Sequence, residues 1–543
     1  MFKISISHSL TSDARVAASA MVAKVLRELG VCPPNAALLF STFGNDHATL
    51  LQELTQLLPG CPIVGGSSNG EVSREQGYRV GSSLLIVFAS DTITFRAGVL
   101  RNLTFDNEAF NLETAMQQWQ QQGIEIRFDK GYSPMPALGL LFPDGLGLDG
   151  GSIVRLFSDT FPTTHFFGGA SAENFTLTQT KQFFNHEVLH NAVPYLLFYG
   201  PLRHHWAITE GLDSGWRAVG KRLDAQCDGK YIHTLAQKPA VDYLASRYRL
   251  QGGQLSVCHP FVIYPDRGSD VHYFRDVIGY CEATGRLESI NLLPTDCQIQ
   301  LTQPDPATIL AVSRKNIHQA LAHYPSTDTP TAALWFSCVS RALVLANDAA
   351  NEFATATEAI ASDLPVAGFY TYGEIAPART TGHNTYHSST LVTLLLGEEP
   401  LTSTGIFGQH HQFSADNLAQ DNKALTQALE NTRAEIQRLQ DELAQCRLLN
   451  RVASHSRTEE MMKNRALALQ LVCSLLDTRF ADFKRLAMKG DPPKLNKLGL
   501  ARLVNDLHQQ QYGKPFPVML KQLANLLTDQ IDVPCHGRPS HPE

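Results

Sequence analysis

The sequence predicts an α/β protein built on an internal repeat with mixed sheets, followed by an α-helical coiled coil and a helical tail. Three observations carry this. A strand, helix and glycine-turn pattern recurs three times in residues 1–400, helical spacing fills the interval between strands, and a heptad rhythm begins after residue 412.

The first copy begins at the apolar run Ala37 to Phe40 and ends in a turn from Pro62 through Gly65, Gly66, Ser67 and Gly70 to Glu71. The second begins at Leu138 to Phe142 and ends in Phe167, Gly168, Gly169, Ala170, Ser171, with Asn174 close behind. The third begins at Ala333 to Phe336 and ends in Pro365 to Gly368, then Tyr372, Gly373 and Glu374. Another apolar run follows each turn: Leu84 to Phe88, Tyr195 to Tyr199 and Leu391 to Leu396. Leu50, Leu51, Leu54, Leu57 and Leu58 have the spacing of one helix face. Strand, helix, strand, glycine turn and strand make an α/β unit, in which ligands commonly lie beyond strand ends. Two readings of the glycines stand. They either shape tight turns alone, or they let the backbone approach a ligand in a shared cleft.

Composition narrows the classes. Of 543 residues, 43% are hydrophobic and 18% charged, enough apolar surface for large cores. The first residues lack a basic stretch followed by an apolar run and a cleavage site, and the longest apolar runs fall far short of the roughly 20 residues that span a bilayer. A soluble, cytoplasmic protein with no membrane span is expected. Ten cysteines include no Cys-x-x-Cys pair, so free thiols are expected rather than a zinc ribbon or redox dithiol. The net charge of −7 divides into about −13 over residues 1–446 and about +6 over 447–543. The basic residues of the tail are dispersed, which argues against nucleic acid as a partner.

The string from Gly368 to Pro377 (GFYTYGEIAP), with His383 and Asn384 after it, resembles the C-terminal FIST domain. Pro62 to Glu71 resembles the N-terminal FIST domain, and Lys238 to Leu244, His259 to Ile263 and Arg275 are also similar to that family. The resemblance covers about residues 1–400 and implies an N-terminal FIST domain over 1–220 and a C-terminal one over 221–400. It further implies an intracellular, non-catalytic sensor of small ligands such as amino acids, often joined to signalling outputs. A subset of that family resembles nitric-oxide-sensing haemoproteins that control a partner histidine kinase.

An amino acid needs a carboxylate for its ammonium, and backbone N–H groups or an arginine for its carboxylate. Gly65, Gly66, Ser67 and Glu71, then Gly168, Gly169 and Ser171, then Tyr372, Gly373 and Glu374 are the candidate turn residues. Arg275 is the candidate carboxylate partner, and Asn384 offers neutral hydrogen bonds. The cofactor stays unknown: haem would need an axial His, Cys or Tyr in an apolar pocket. His383 is the candidate iron ligand, beside the alternatives His204, His205, His410, His411, Cys32 and Cys61.

Enzyme signatures are missing. Gly65 to Gly70 does not form Gly-x-Ser-x-Gly, neither a Walker loop nor His-Glu-x-x-His occurs, and the glycine-rich Asp144 to Gly151 lacks a phosphate-binding lysine. An enzyme of another kind remains the alternative class.

The output end reads as a coiled coil over 412–452. Leu418, Leu425 and Leu439 fall on one heptad position, and Leu429, Ile436 and Leu443 on the other, with Asn422 and Asn450 setting register. A homodimer is expected. The region 453–543 reads as a helical docking module broken at Gly490 to Pro493, and it is too short for a kinase ATP domain. A separate signalling partner such as a histidine kinase is therefore expected.

Overall fold

A computed structural model describes residues 1–399 apart from 104, 107–108, 111, 123–134, 247–258, 326–328, 359, 361–362 and 380, and again at 488–489 and 494–495. The chain divides into two compact units, Met1–Gly405 and Ile406–Glu543. Nearly all described residues lie in the first.

That unit repeats one motif three times. Repeat one is β1 (Phe2–Ser9), α1 (Ala14–Leu29), β2 (Ala36–Thr42), α2 (His47–Leu57), β3 (Ile63–Ser68), the hairpin β4 (Glu71–Ser73) and β5 (Gly77–Arg79), and β6 (Ser83–Ser90). Repeat two is β7 (Thr94–Leu100), a short ribbon of β8 (Phe105–Asp106) and β9 (Ala109–Phe110), α3 (Leu112–Gln121), β10 (Leu138–Leu141), α4 (Gly150–Thr160), β11 (His165–Gly169), the hairpin β12 (Gln182–Phe184) and β13 (Glu187–Leu189), and β14 (Val193–Tyr199).

Repeat three opens with β15 (Leu202–Ile208) and is then interrupted. The insertion holds β16 (Trp216–Asp228), β17 (Tyr231–Leu235), β18 (Lys238–Pro239), α5 (Ala240–Ala245), β19 (Phe261–Tyr264), β20 (Tyr273–Arg275), β21 (Val277–Cys281), β22 (Arg286–Ser289) and β23 (Asp296–Pro304). The repeat resumes with α6 (Pro306–His323), β24 (Ala332–Cys338), α7 (Val339–Leu345), α8 (Ala349–Thr357), β25 (Val366–Thr371), the hairpin β26 (Glu374–Pro377) and β27 (Asn384–His387), and β28 (Leu391–Glu398).

Each repeat builds a mixed sheet around a parallel pair: β2 with β3, β10 with β11, β24 with β25. The central strands read as continuous apolar runs because both faces are covered. On one side the three sheets share a core, where Phe40, Phe142, Phe336 and Phe369 meet; Phe40 lies 4.0 Å from Phe369 and 5.1 Å from Phe142 between ring centroids. On the other side helices pack. Those helices start where an aspartate can cap them: Asp13, Asp46, Asp149 and Asp305 each accept a hydrogen bond from a first-turn N–H of α1, α2, α4 and α6.

The hairpins do not stay in their own sheets. β4 of repeat one pairs with β25 of repeat three, β12 of repeat two with β3 of repeat one, and β26 of repeat three with β11 of repeat two. Every repeat therefore completes its neighbour's sheet in a closed cycle. The insertion forms its own sheet, in the order β20-β19-β23-β16-β17-β22-β21, over a core of Leu223, Ile232, Leu287 and Ile299.

The coiled coil expected over 412–452 lies outside the described residues, as does the helical tail but for a two-stranded ribbon. Its strands, β29 (Met488–Lys489) and β30 (Lys494–Leu495), bracket the break at Gly490 to Pro493. Among the described residues no helix is long and apolar enough to cross a membrane.

Candidate functional site

The glycine turns lie at the exchange points. Gly65, Gly168 and Gly368 are equivalent by register, opposite Leu39, Leu141 and Trp335. A Cβ on each would sit 1.9, 2.1 and 1.6 Å from the carbonyl oxygen of that opposite residue. Gly66 and Gly169 are tight in another way, since a Cβ there would meet Ser171 Oγ at 2.2 Å and Thr371 Oγ1 at 2.5 Å. These glycines bring adjacent repeats together. Ser67 joins the same seam, donating to the Ala172 carbonyl at 2.8 Å and accepting from Lys181 N–H at 3.0 Å. Ser171 is buried beside Gly66, and its hydroxyl has no hydrogen-bond partner.

Each exchanged hairpin opens on a buried polar residue. Register makes Glu71, Gln182 and Glu374 equivalent, opposite Phe369, Gly66 and Gly169. The repeat-two counterpart is thus Gln182 and not the Asn174 that the sequence pattern suggests, because the chain after β11 is longer there. Thr42, Asp144 and Cys338 are likewise equivalent; each N–H donates to the carbonyl of Ser82, Ala192 or Thr390.

The three positions have different surroundings. Glu71 is fully buried and receives hydroxyl hydrogen bonds from Thr42 (3.1 Å), Ser68 and Ser82. Burial pushes its carboxyl up to about 7 against the pull of these donors. Each hydroxyl is already an acceptor: Thr42 from Gly81 N–H, Ser68 from Gly70 N–H, and Ser82 in contact with His8 Nε2 at 2.9 Å. Glu71 is a closed polar knot. In repeat two the acid is Asp144, which accepts from Thr180, Leu146, Gly147 and Asn191.

Glu374 is different. Its Oε2 accepts from the Thr390 N–H at 3.0 Å and hydroxyl at 2.7 Å, while Oε1, also buried, has no partner. The hydroxyl that Thr42 gives Glu71 is replaced by the thiol of Cys338. A second fully buried acid faces the same place: Asp276, from the insertion, accepts from Ser389 at 3.1 Å. Burial pushes Asp276 up to about 7 against the Ser389 bond and the charge of Arg275. Burial likewise holds Glu374 well above the ordinary carboxyl range, and the charge of Asp276 adds to that. Arg341, paired with Glu352 at 2.8 Å, offsets this for Glu374 only in part.

The chain beside these acids is strained. Gly81, Asn191 and Ser389 are equivalent, with φ of 77°, 47° and 62°. Glycine and asparagine adopt this left-handed conformation readily; serine at Ser389 carries a cost of about 1–3 kcal/mol. The conformation places its hydroxyl between Asp276 and Ser340, 3.0 Å away. Ser388 Oγ and Asn291 Nδ2 are also buried, beside Asp276 and Tyr386 respectively.

Arg275 sits next to Asp276; its Nη1 donates to the Phe274 and Tyr386 carbonyls, and its buried Nε has no partner. Tyr372 instead joins repeat two, donating to Glu173 at 2.7 Å. Gly373 is held against the Tyr386 hydroxyl, 2.1 Å from a built Cβ. Asn384 acts as a strap, accepting from Phe166 N–H at 2.8 Å and donating to the Thr164 carbonyl and Ser158. The geometry thus sets Arg275 beside Asp276, and ties Asp276 and Glu374 to the consecutive residues Ser389 and Thr390. Glu71, Tyr372, Asn384 and the glycines lie in the seams between repeats. Asp276 escapes the repeat pattern because the insertion has no counterpart in the other copies; the serine where Gly81 and Asn191 stand was the readable signal.

The haem candidates do not converge on a pocket. His383 is exposed in the turn before β27, and His204 Nε2 lies 3.1 Å from His165 Nδ1. Burial pushes the Cys61 thiol up to about 12, in the core beneath α1 and α2. None of these presents an open axial ligand beside an apolar wall, and the residues do not fit the group. His410 and His411 lie outside the described residues. A separate cavity of about 480 Å³ is lined by Val99, Arg101, Gln118, Gln122 and Phe184 among others. Three of its polar groups are engaged: Gln118 and Gln122 bond the backbone of Arg101 and Val99, and Arg101 pairs with Glu187.

The three repeats thus close into a cycle of exchanged hairpins, and at one exchange point the buried Glu374 keeps an oxygen without a partner. The chain belongs to the FIST family: the FIST N domain matches residues 35–238 and the FIST C domain residues 240–377. FIST domains are generally small-ligand sensor domains in signal transduction. Two similar proteins are the uncharacterized proteins Mb0898c of Mycobacterium bovis and MT0897 of Mycobacterium tuberculosis. Each is 24% identical over 404 residues, spanning 72% of this chain and 97% of its own length.

Proposed function

We propose that this chain is a sensor that reads a small polar ligand at the Glu374–Asp276 pair and passes its occupancy through the C-terminal segment to a separate partner. The observation that carries the reading is the orphaned Glu374 Oε1, fully buried beside a second buried acid. A buried carboxylate oxygen without a donor costs free energy, so such a group persists where a ligand or proton satisfies it.

An α-amino acid suits the surroundings. Its ammonium would donate to Glu374 and Asp276, and its carboxylate would accept from Arg275 Nε. A dimerising coil over 412–452 would carry the change in packing to a partner such as a histidine kinase, provided ligand affinity differs between two conformations.

The test is a thermal-shift screen of free amino acids and simple amines against wild type and Glu374→Gln. Stabilisation of wild type that is lost in the variant supports the reading. An equal response in both proteins, or none in wild type, sinks it.

A further inference from the structure

We infer that Glu374 and Asp276 form a clasp across the junction between the inserted module and the repeat core, closed by one positive charge: a proton in the free protein and the ligand's ammonium in the bound one. The inference rests on the ligand site proposed above and adds how that site is regulated.

The two acids come from opposite sides. Glu374 opens β26 in the repeat core, whereas Asp276 lies between β20 and β21 of the insertion. The insertion joins the core at two adjacent crossings, Gly215 before β16 and Asp305 after β23, which are bonded to each other at 2.8 Å. Gly211 and Gly215 hold φ of 84° and 110°, so the entry crossing bends where side chains are disfavoured. Elsewhere Trp216, Val262, Tyr264 and Phe274 of the insertion pack into the main core, and polar contacts join the two parts. Asn291 accepts from Gly150 N–H at 3.0 Å, Leu292 N–H donates to Asp149 at 3.0 Å, and Trp216 Nε1 donates to the Ser389 carbonyl at 2.9 Å. Glu374 is fully buried and Asp276 nearly so, and in this clasp a ligand reaches them by movement of the module.

Two ionised carboxylates, held by the consecutive residues Ser389 and Thr390 across such a joint, repel and are acceptors only. One proton turns one acid into a donor. An ammonium does the same with three N–H groups. The other charged and titratable groups at the joint leave this excess in place. Arg341 is paired with Glu352, Arg275 compensates Asp276 in part, and the Cys338 thiol and Tyr386 hydroxyl are held protonated by burial. Burial also keeps His387, opposite Glu374, neutral.

The sign follows from linkage. Closure raises the Asp276 carboxyl from its ordinary value to about 7, so the closed joint binds the proton more tightly. Proton-assisted closure is complete below the ordinary carboxyl range and is lost as pH rises toward 7. The limit is about tenfold in the closing equilibrium per pH unit for one proton.

The test is hydrogen exchange at the Gly150 and Leu292 amides of the full chain, corrected for intrinsic exchange, from pH 4 to 8. In wild type their protection should fall with pH, and methylammonium chloride should restore it at pH 8 while tetramethylammonium, which has no N–H, does not. In Asp276→Asn and Glu374→Gln one of the two like charges is gone, and protection should stay high and flat. Flat protection in wild type overturns the clasp even where an amino acid binds. Equal rescue by both ammonium salts overturns it as well. A ligand screen without hits beside pH-dependent protection contradicts the sensor reading and supports the proton half of the clasp.

Discussion

Glu71 and Glu374 begin the same strand in two repeats, yet Glu71 is ringed by three hydroxyls while Glu374 keeps one buried oxygen without a partner. Each opens a hairpin that has crossed into a neighbouring sheet. One fold position is thus a structural knot in one copy and, in the proposed function, the reader of ligand in the other.

The difference should show in matched substitutions. Glu71→Gln puts an NH2 group against hydroxyls that are already acceptors, leaving buried donors unmatched. Urea denaturation at pH 7 should show a loss of about 1–3 kcal/mol. Glu374→Gln removes one of two like charges in a buried place and should leave stability unchanged or raise it.

The equivalent glycines should tolerate no side chain. Gly65→Ala and Gly168→Ala place a Cβ 1.9 and 2.1 Å from the Leu39 and Leu141 carbonyl oxygens, inside any allowed contact. Each should lose about 1–3 kcal/mol or more in urea, as overpacked cores do. Gly382→Ala, where nothing lies within 4 Å, should cost less, with only its φ of 69° against it.

Much of this fold is legible in the sequence, and the reason is physical. The parallel strands approach so closely at Gly65, Gly168 and Gly368 that glycine is required, and that requirement prints the repeat onto the chain. The hairpin exchange leaves no such mark, since pairing between segments as distant as Glu71 and Phe369 creates no local periodicity. Glu374 and Arg275 could be picked out as candidates, but Asp276 could not. Its role exists only once the insertion folds against Ser389.

The Arg341–Glu352 pair, fully buried, ties α7 and α8 to α6 through Ser313 and to the module entry through the Ser214 carbonyl. Removing one partner, as in Glu352→Leu, leaves a buried charge and should cost about 3–5 kcal/mol in urea. The double variant Arg341→Met, Glu352→Leu should recover part of that loss.

Acid should act in two opposing ways. Burial holds His8, His47 and His387 down to about 4, so their rings should stay neutral by NMR well below the ordinary histidine value. Their depressed values stabilise the native state above about pH 6.5, and that stability is lost as pH falls toward 4. Glu71 and Asp276, raised to about 7, work in the other direction, favouring the native state as pH falls. Asp276→Asn removes part of this offset and should make the urea midpoint fall more steeply on acidification from pH 6.5 to 4.

The most direct measurement is calorimetric titration of the amino acid or amine that gives the largest thermal shift, into wild type, Glu374→Gln, Asp276→Asn and Glu71→Gln. The expected result is at least about thirtyfold weaker binding in the first two variants, ~2 kcal/mol for a lost buried charge partner, with the affinity of Glu71→Gln unchanged. Full affinity in Glu374→Gln and Asp276→Asn would contradict the acid pair as the ligand reader.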